Sequence, residues 1–402
     1  MRESLVVTGI GVVAPTGTTA DEHWAATLEG RSGLGPITRF DPAAYPVRIA
    51  GEVKGFAATE HLSSRLTTQT DHWTHMGLVA AESALADAGT VPAELPEYEM
   101  AVVTASSSGG TEFGQREMTG LWSLGPEHVG AYQSIAWFYA ATTGQISIRH
   151  GMRGPCAALA TEQAGGLDAV GQARRTLRAG ARLALVGGTD ASLCPYGLVA
   201  QLSSRALSTV SDPARAYIPF DVSACGYVPG EGGAMFVMEH GKDGARTADR
   251  YGEVLGYAAT FDPAPGRGRP PGLRRAIELA LADAGLRPGE IDVVFADAMG
   301  VPAADRMEAE ALCAVFGPRA VPVTAPKTLT GRLYAGGAAL DLVTALLALR
   351  DGVIPPTAGV VELDRTLGLD LVGDEPRELR LRTALVVARG HGGFNSALVL
   401  GR

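Results

Sequence analysis

Cysteine and charged residues are scarce in this sequence. Its four cysteines, Cys156, Cys194, Cys225 and Cys313, lie far apart and form no CxxC pair, which excludes a disulfide framework and a zinc site of that kind. Only 19% of the 402 residues are charged and the net charge is −9, which argues against a general nucleic-acid binder. No apolar run reaches the ~18 residues that a membrane span needs.

A targeting segment is also lacking. From Met1 the chain runs directly into a strand-like apolar stretch, without a charged leader or a cleavage site. Together with the missing metal-binding, basic and membrane-spanning patterns, this predicts a soluble cytoplasmic protein. We expect it to have no metal, no nucleic-acid partner and no membrane partner.

Apolar residues and glycine are abundant instead. Hydrophobic residues make up 46% of the chain, and 52 glycines are scattered among the apolar runs. The length exceeds the roughly 250–300 residues at which one hydrophobic core stops growing, so we expect two tightly joined lobes. The apolar excess also predicts additional buried surface, and hence an obligate partner or an oligomer.

A short internal repeat indicates a duplication. The hexamer Ala84-Leu-Ala-Asp-Ala-Gly89 recurs 196 residues later as Ala280-Leu-Ala-Asp-Ala-Gly285. Each copy ends an amphipathic helical pattern, and a linker and a buried strand follow it. Strand and helix patterns alternate along the whole chain, which predicts an α/β fold. We expect an N-terminal half at 1–245 and a C-terminal half at 246–402.

Three glycine-dense turns are candidate sites. The first, Leu159 to Asp168, turns sharply from an apolar segment into a helix, and a helix N-terminus favours negative charge and lowers the pKa of a thiol. A nucleophilic enzyme would carry Cys or Ser at the tip of such an elbow. Here the tip is Gln163, and an amide is neither a nucleophile nor a base.

The other two turns lie near the C-terminus. One spans 323–337, and the other is Arg389-Gly-His-Gly-Gly-Phe-Asn-Ser396, where glycines allow the backbone to approach a ligand closely. We take His391, Gly392 and Gly393 as a candidate pocket loop. Each turn alone is weak support, since such turns are also ordinary packing devices.

In order and spacing these segments resemble the β-ketoacyl synthases of the thiolase superfamily. Val6-Val-Thr-Gly-Ile-Gly-Val-Val-Ala-Pro15 is similar to their first strand and turn. Pro219-Phe-Asp-Val-Ser-Ala-Cys-Gly-Tyr-Val-Pro-Gly-Glu-Gly-Gly233 is similar to their P-F-D-x-x-R-D-G-x-x-x-G-E-G-A segment, and Gly392-Gly-Phe-Asn395 to their G-G-x-N loop. The resemblance implies the thiolase fold, in which two duplicated α/β halves form a five-layered αβαβα core.

The departures from that family bear on catalysis. The resemblance implies Cys at position 163 and His at positions 299 and 332, but this chain has Gln163, Met299 and Arg332 there. Only Lys327 of that set remains, so we take these four positions as vestigial and expect no intrinsic condensing activity. Arg332 cannot act as a base, because its pKa stays above ~12; we expect it to be buried in a pair with an acid.

Two acids are candidates for that pair, Glu162 and Asp297, one at the elbow and one beside the first missing histidine. A buried pair would close the former catalytic pocket. The alternative is a surface cation that meets an acidic carrier protein.

One subfamily is particularly similar, the chain length factors, or ketosynthase β-subunits, of bacterial type II polyketide synthases. They share the elbow seen in Thr161-Glu-Gln-Ala-Gly-Gly166 and the long segment from Ile135 to Gly154. The resemblance implies a heterodimer with a catalytic ketosynthase α-subunit, which supplies the cysteine and both histidines. It also implies that an acyl carrier protein presents the growing chain on its phosphopantetheine arm, with no other cofactor.

The same resemblance implies a substrate tunnel gated by Thr111, Gly114 and Met118, spaced i, i+3, i+7 on one helix face. Tyr196 and Leu198 are further candidates for its lining. Bulky aromatics at the first and third positions go with shorter products in this subfamily, and both are absent here. We therefore expect a chain longer than an octaketide, a decaketide or more.

Two other functions stay open. One is a malonyl-carrier-protein decarboxylase that primes synthesis through Gln163; the ketosynthase domains that work in this way keep both histidines, which this chain lacks. The other is a degenerate homodimeric binding protein, which would have no use for a tunnel. The neighbouring aromatics Trp137, Phe138 and Tyr139 favour the heterodimer, because such a cluster is costly when exposed to water.

Overall fold

Alternating strands and helices fill the computed structural model, which describes residues 4–241, 251–264, 268 and 270–402. The described strands are β1 (Leu5–Val13), β2 (Leu34–Pro36), β3 (Ile49–Gly51), β4 (Met100–Ala105), β5 (Cys156–Leu159), β6 (Leu183–Asp190), β7 (Gly232–His240), β8 (Gly252–Phe261), β9 (Val293–Phe295), β10 (Pro322–Thr324), β11 (Val353–Ile354), β12 (Asp370–Leu371), β13 (Arg377–Glu378), β14 (Thr383–Gly390) and β15 (Phe394–Gly401).

The described α-helices are α1 (Ala20–Leu28), α2 (Ala58–His61), α3 (Ser64–Gln69), α4 (His72–Asp87), α5 (Thr111–Leu124), α6 (Gln133–Ala136), α7 (Ala141–His150), α8 (Gly165–Arg178), α9 (Pro195–Leu202), α10 (Leu273–Ala284), α11 (Pro302–Phe316) and α12 (Ala335–Asp351). Within these ranges no helix is both long enough and apolar enough to cross a membrane.

The central sheet contains two copies of one strand arrangement. One half has the order β1-β7-β6-β4-β5 and the other has β8-β15-β14-β9-β10, with β12 added at the outer edge. In each half the first two pairings are antiparallel and the next two are parallel. A short antiparallel contact between β1 and β8 joins the halves. The predicted duplication of an α/β unit is confirmed.

Helices separate the two halves of the sheet and cover their outer faces. α12 packs on β6 and β7 on one side and on β14 on the other, with α8 beside it. α4 covers β1 and β7 from outside, and α10 covers β8 and β15 in the same way. The predicted αβαβα order therefore holds, and α12 is buried from Ala335 to Leu349 because it lies between the two halves of the sheet.

The repeated hexamer has the same packing role in both halves. Ala84 lies at the end of α4 over Gly9 of β1, and a Cβ added to Gly9 would lie 2.3 Å from the Ala84 carbonyl oxygen. In the second half a Cβ added to Gly256 of β8 would lie 2.2 Å from the carbonyl oxygen of Ala280 in α10. The helix therefore contacts the strand backbone directly, which only glycine in the strand permits.

The aspartate of each hexamer completes this contact. Asp87 accepts a hydrogen bond from the backbone N–H of Ile10 at 2.8 Å, and Asp283 accepts one from the N–H of Tyr257 at 2.9 Å. Both donors directly follow the glycines under the helices. The recurrence of the sequence thus reflects one helix-on-strand contact made twice. The predicted division between 245 and 246 lies outside the described residues and stays a prediction.

We predict that Gly9→Ala destabilises the fold by about 1–3 kcal/mol, because the added methyl group forces α4 away from β1. The measurement is the midpoint of thermal unfolding. Gly289→Ala is the control, since a Cβ added to Gly289 meets no atom within 4 Å. Equal midpoints for the two variants would contradict the close contact.

Candidate functional site

The elbow buries its tip residue instead of presenting it. A short 3-10 turn, Glu162–Ala164, leads into α8, and Gln163 is 0% exposed. Neither the oxygen nor the nitrogen of its amide has a hydrogen-bond partner among the described residues. A Cβ added to Gly337 of α12 would lie 2.4 Å from Nε2 of Gln163. The amide is therefore packed against the first turn of α12.

Arg332 and Asp297 form a buried ion pair. Nη1 of Arg332 lies 3.1 Å from Oδ2 of Asp297 and Nη2 lies 3.2 Å from Oδ1, which is a two-pronged contact. The guanidinium also donates to the carbonyl oxygens of Asp297 and Arg389, both at 3.0 Å, and lies over the ring of Tyr227. Arg332 is 2% exposed, so the predicted buried pair is confirmed, with Asp297 as the partner.

The positive charge of Arg332 balances the negative charge of the buried Asp297 carboxylate. Burial alone would raise the pKa of Asp297, but Arg332 and Lys327 outweigh it and hold the pKa below its usual range. Glu308 accepts from the backbone N–H groups of Asp297 and Ala298, and burial raises its pKa to about 7. The arginine thus stabilises an ionised aspartate inside the protein and has no proton to exchange near neutral pH.

Lys327 and Glu162 have partners other than Arg332. Nζ of Lys327 lies 2.7 Å from Oδ2 of Asp341 on α12, and both side chains are buried. Glu162 is not part of the Arg332 pair: its Oε2 accepts from the backbone N–H of His391 at 2.8 Å, and burial raises its pKa. Glu162, the second candidate acid for Arg332, therefore holds the pocket loop in place through this hydrogen bond.

A first cavity, cavity A, of about 430 Å³ lies over this loop. Seven of the candidate residues predicted from the sequence line it together, namely Thr111, Glu162, Met299, Arg332, His391, Gly392 and Gly393. The hydroxyl groups of Ser107, Ser108 and Tyr334 were missed as lining residues. The serines follow β4 directly, so their position at the end of a buried parallel strand was the available signal. Gln163 and Lys327 do not line cavity A.

A second cavity, cavity B, of about 730 Å³ lies along α5. The three predicted gate residues, Thr111, Gly114 and Met118, line it, as do Tyr196, Trp122 and Trp137. Thr111 lines both cavities. Leu198 differs from the expectation: it is fully buried in a cluster with Leu193 and Tyr217, and it lines neither cavity. Only one face of α9 points to the cavities, and Leu198 lies on another face.

The surface beside cavity B is apolar. Trp122 is 78% exposed, and Trp137, Phe138 and Tyr139 are exposed as well. Ile148, at the end of the same segment, is exposed too. These side chains therefore do not belong to the core of this chain, and exposed apolar side chains in this number are typical of a protein interface.

We predict that Arg332→Met destabilises the protein by about 3–5 kcal/mol at neutral pH, because Asp297 is left buried and unpaired. Since Arg332 lowers the folded-state pKa of Asp297, the pair stabilises the fold above the usual aspartate pKa and loses this effect as the pH falls through the lowered value. The deficit in the unfolding midpoint should accordingly shrink in acid. Arg31→Met, which removes an exposed ion pair with Glu29, is the control; an equal loss there would contradict the prediction.

The comparisons with known proteins agree with this geometry. Residues 2–244 match the model of the beta-ketoacyl synthase N-terminal domain, and residues 251–361 match that of the C-terminal domain. The chain is 62% identical to the tetracenomycin polyketide synthase ketoacyl synthase beta subunit of Streptomyces glaucescens, over 99% of this chain and 98% of that protein. It is 57% identical to the actinorhodin polyketide putative beta-ketoacyl synthase 2 of Streptomyces coelicolor, with the same coverage.

Solved structures give the same result. The structure of the ishigamide ketosynthase/chain length factor superposes with a TM-score of 0.92 and 29% identity, over 100% of this chain and 99% of that one. A beta-ketoacyl synthase from Burkholderia phymatum also has a TM-score of 0.92, with 27% identity over the full length of both chains. This chain belongs to the β-ketoacyl synthase family, in the branch of the type II polyketide synthase β-subunits, or chain length factors.

Proposed function

We propose that this chain is a non-catalytic subunit that sets the length of a polyketide. It would pair with a catalytic ketosynthase and form, with that partner, the tunnel into which the growing chain extends. The observation that carries the proposal is cavity B: Thr111, Gly114 and Met118 follow one another along α5 and line a single open space. A tunnel wall on one helix face lets three side chains decide how far a chain can reach.

The positions that would be reactive in a condensing enzyme support a non-catalytic role. A condensing site needs a nucleophile and a group that stabilises the developing oxyanion. Gln163 lines neither cavity and Arg332 is held by Asp297. Catalysis would therefore depend on the partner subunit, which supplies a cysteine and two histidines.

The apolar surface around Trp137 supports the pairing. Exposed aromatic side chains of this number are costly in water and favourable at a protein interface. The surface adjoins cavity B, because Trp122 and Trp137 belong to both. A ketosynthase seated there would complete the tunnel wall. The substrate would arrive on the phosphopantetheine arm of an acyl carrier protein, with no other cofactor.

Small side chains at the gate favour a long product. Gly114 leaves open the space that a larger residue would fill, and a Cβ there would lie 3.3 Å from the Trp137 ring and 3.7 Å from Nε2 of Gln133. Met118 is partly exposed and its unbranched side chain adapts to a neighbouring chain. We therefore propose a chain beyond the octaketide, a decaketide or more.

We predict that Gly114→Phe shortens the product by at least one ketide unit, because the ring fills cavity B. The rate of each condensation should stay close to that of the parent pair, since the reactive groups belong to the partner. The measurement is mass spectrometry of the polyketides made by the chain with its ketosynthase and carrier protein. The control is Gly120→Phe, on the same helix and lining neither cavity. Full-length product from Gly114→Phe would refute the gate.

The decarboxylase alternative makes a different prediction at Gln163. If the amide only packs against Gly337, Gln163→Ala should lower the stability or the yield of the pair modestly while carbon dioxide is still released from malonyl-carrier protein. Release is followed with labelled malonate in the assembled pair. Complete loss of carbon dioxide release with assembly intact would favour the decarboxylase.

A further inference from the structure

Helix α5, which carries the gate residues, has few contacts with the core. Among its residues only Thr111, Phe113 and Gly114 are buried, all in the first turn. The later turns, including Met118, lie at the surface. Beyond that turn, Gln115 accepts from the N–H of Tyr196 at 2.6 Å and Glu117 accepts from the N–H of Gly130, so the N-terminal turn is the part of the gate helix that is fixed to the core.

That turn lacks a cap of its own. The residue before α5 is Gly110, which has no side chain to accept the free N–H groups at the helix start. The carboxylate of Asp71 does this instead: its Oδ2 accepts from the N–H of Phe113 at 2.6 Å. Its other oxygen accepts from the N–H of Trp73 at 3.2 Å and caps α4, the helix that Asp71 precedes. One carboxylate thus caps two helices.

Asp71 is well placed to fix the distance between the first turns of α4 and α5. It is 2% exposed, and α4 packs firmly on β1 and β7. Two helix N-termini facing the same carboxylate both favour negative charge at that point. Burial nevertheless raises the pKa of Asp71 to about 6, so the protein keeps a carboxylate here against the cost of desolvation.

A second tether joins the same turn to the core. Nη2 of Arg39 lies 2.6 Å from Oε2 of Glu112, the second residue of α5. Nη1 of Arg39 lies 3.6 Å from Oε1 of Glu231, which is buried, and Oε2 of Glu231 lies 3.5 Å from Nε2 of His72 on α4. Polar contacts therefore run from α5 through Arg39 to the interior and back to α4.

We propose that Asp71 and Arg39 are positioning residues for chain-length control. Neither lines cavity B. They act by fixing α5, and through it the distance between the gate side chains and the facing residues Trp137 and Tyr196. This inference rests on the proposed function and adds the residues that make the gate selective.

The test is the distribution of chain lengths made by the pair with its carrier protein. Asp71→Ala removes both caps, and the ratio of minor to main chain lengths should rise roughly fivefold, the population change that corresponds to one lost helix cap. Asp71→Asn keeps one acceptor oxygen and should give an intermediate distribution. Glu112→Gln breaks the ion pair with Arg39 at a half-exposed site and should broaden the distribution of chain lengths less than Asp71→Ala. It replaces Asp71→Ala as the test if that variant does not fold.

Asp221→Ala is the matched control. Asp221 is also buried and accepts from the backbone N–H groups of Val361 and Glu362, but it lines neither cavity and does not contact α5. It should lower stability and leave the distribution unchanged. An unchanged distribution in the folded Asp71 and Glu112 variants overturns the inference, and so does equal broadening by Asp221→Ala. If Gly114→Phe also has no effect, the proposed function itself fails.

Discussion

The close approach of α12 to the elements around it is the constraint on which the rest of the structure depends. The two halves of the sheet share one central helix layer, so the first turn of α12 must fit between the backbones of neighbouring elements. A Cβ added to Gly336 would lie 2.1 Å from the carbonyl oxygen of Gly232, and one added to Gly166 would lie 2.4 Å from the N–H nitrogen of Ala339. Glycine at these contacts removes the side chains that would otherwise hold the layers apart.

This packing also determines what the elbow can do. The residue at the tip points at Gly337, where there is no side chain, and so occupies space that a larger α12 residue would fill. A glutamine amide is large enough to fill that space, although its polar atoms are left without partners among the described residues.

The sequence predicts the fold well because the patterns that indicate it are short segments of the chain. The repeated hexamers and the family motifs each span only a few residues, and the structure confirms the duplicated α/β fold that they predict. The sequence also predicted a buried pair for Arg332, because a buried guanidinium requires an acid. The motifs offered two acids for this pair, Glu162 and Asp297. The choice between Glu162 and Asp297 depended on the fold, which turns Glu162 towards the loop at His391.

Other features could not be read from the sequence, because they join distant segments. Leu198 was expected to line the tunnel, yet it lies on the face of α9 that packs against Leu193 and Tyr217. Asp71 lies 42 residues before Phe113, the residue of α5 whose N–H it accepts. Nothing in the sequence around Asp71 distinguishes it from an ordinary N-cap of α4. Such contacts matter most where a helix is little buried. The gate that we propose on α5 would change the width of the tunnel through single side chains without disturbing the sheet, provided that the few buried contacts of the first turn of α5 stay in place.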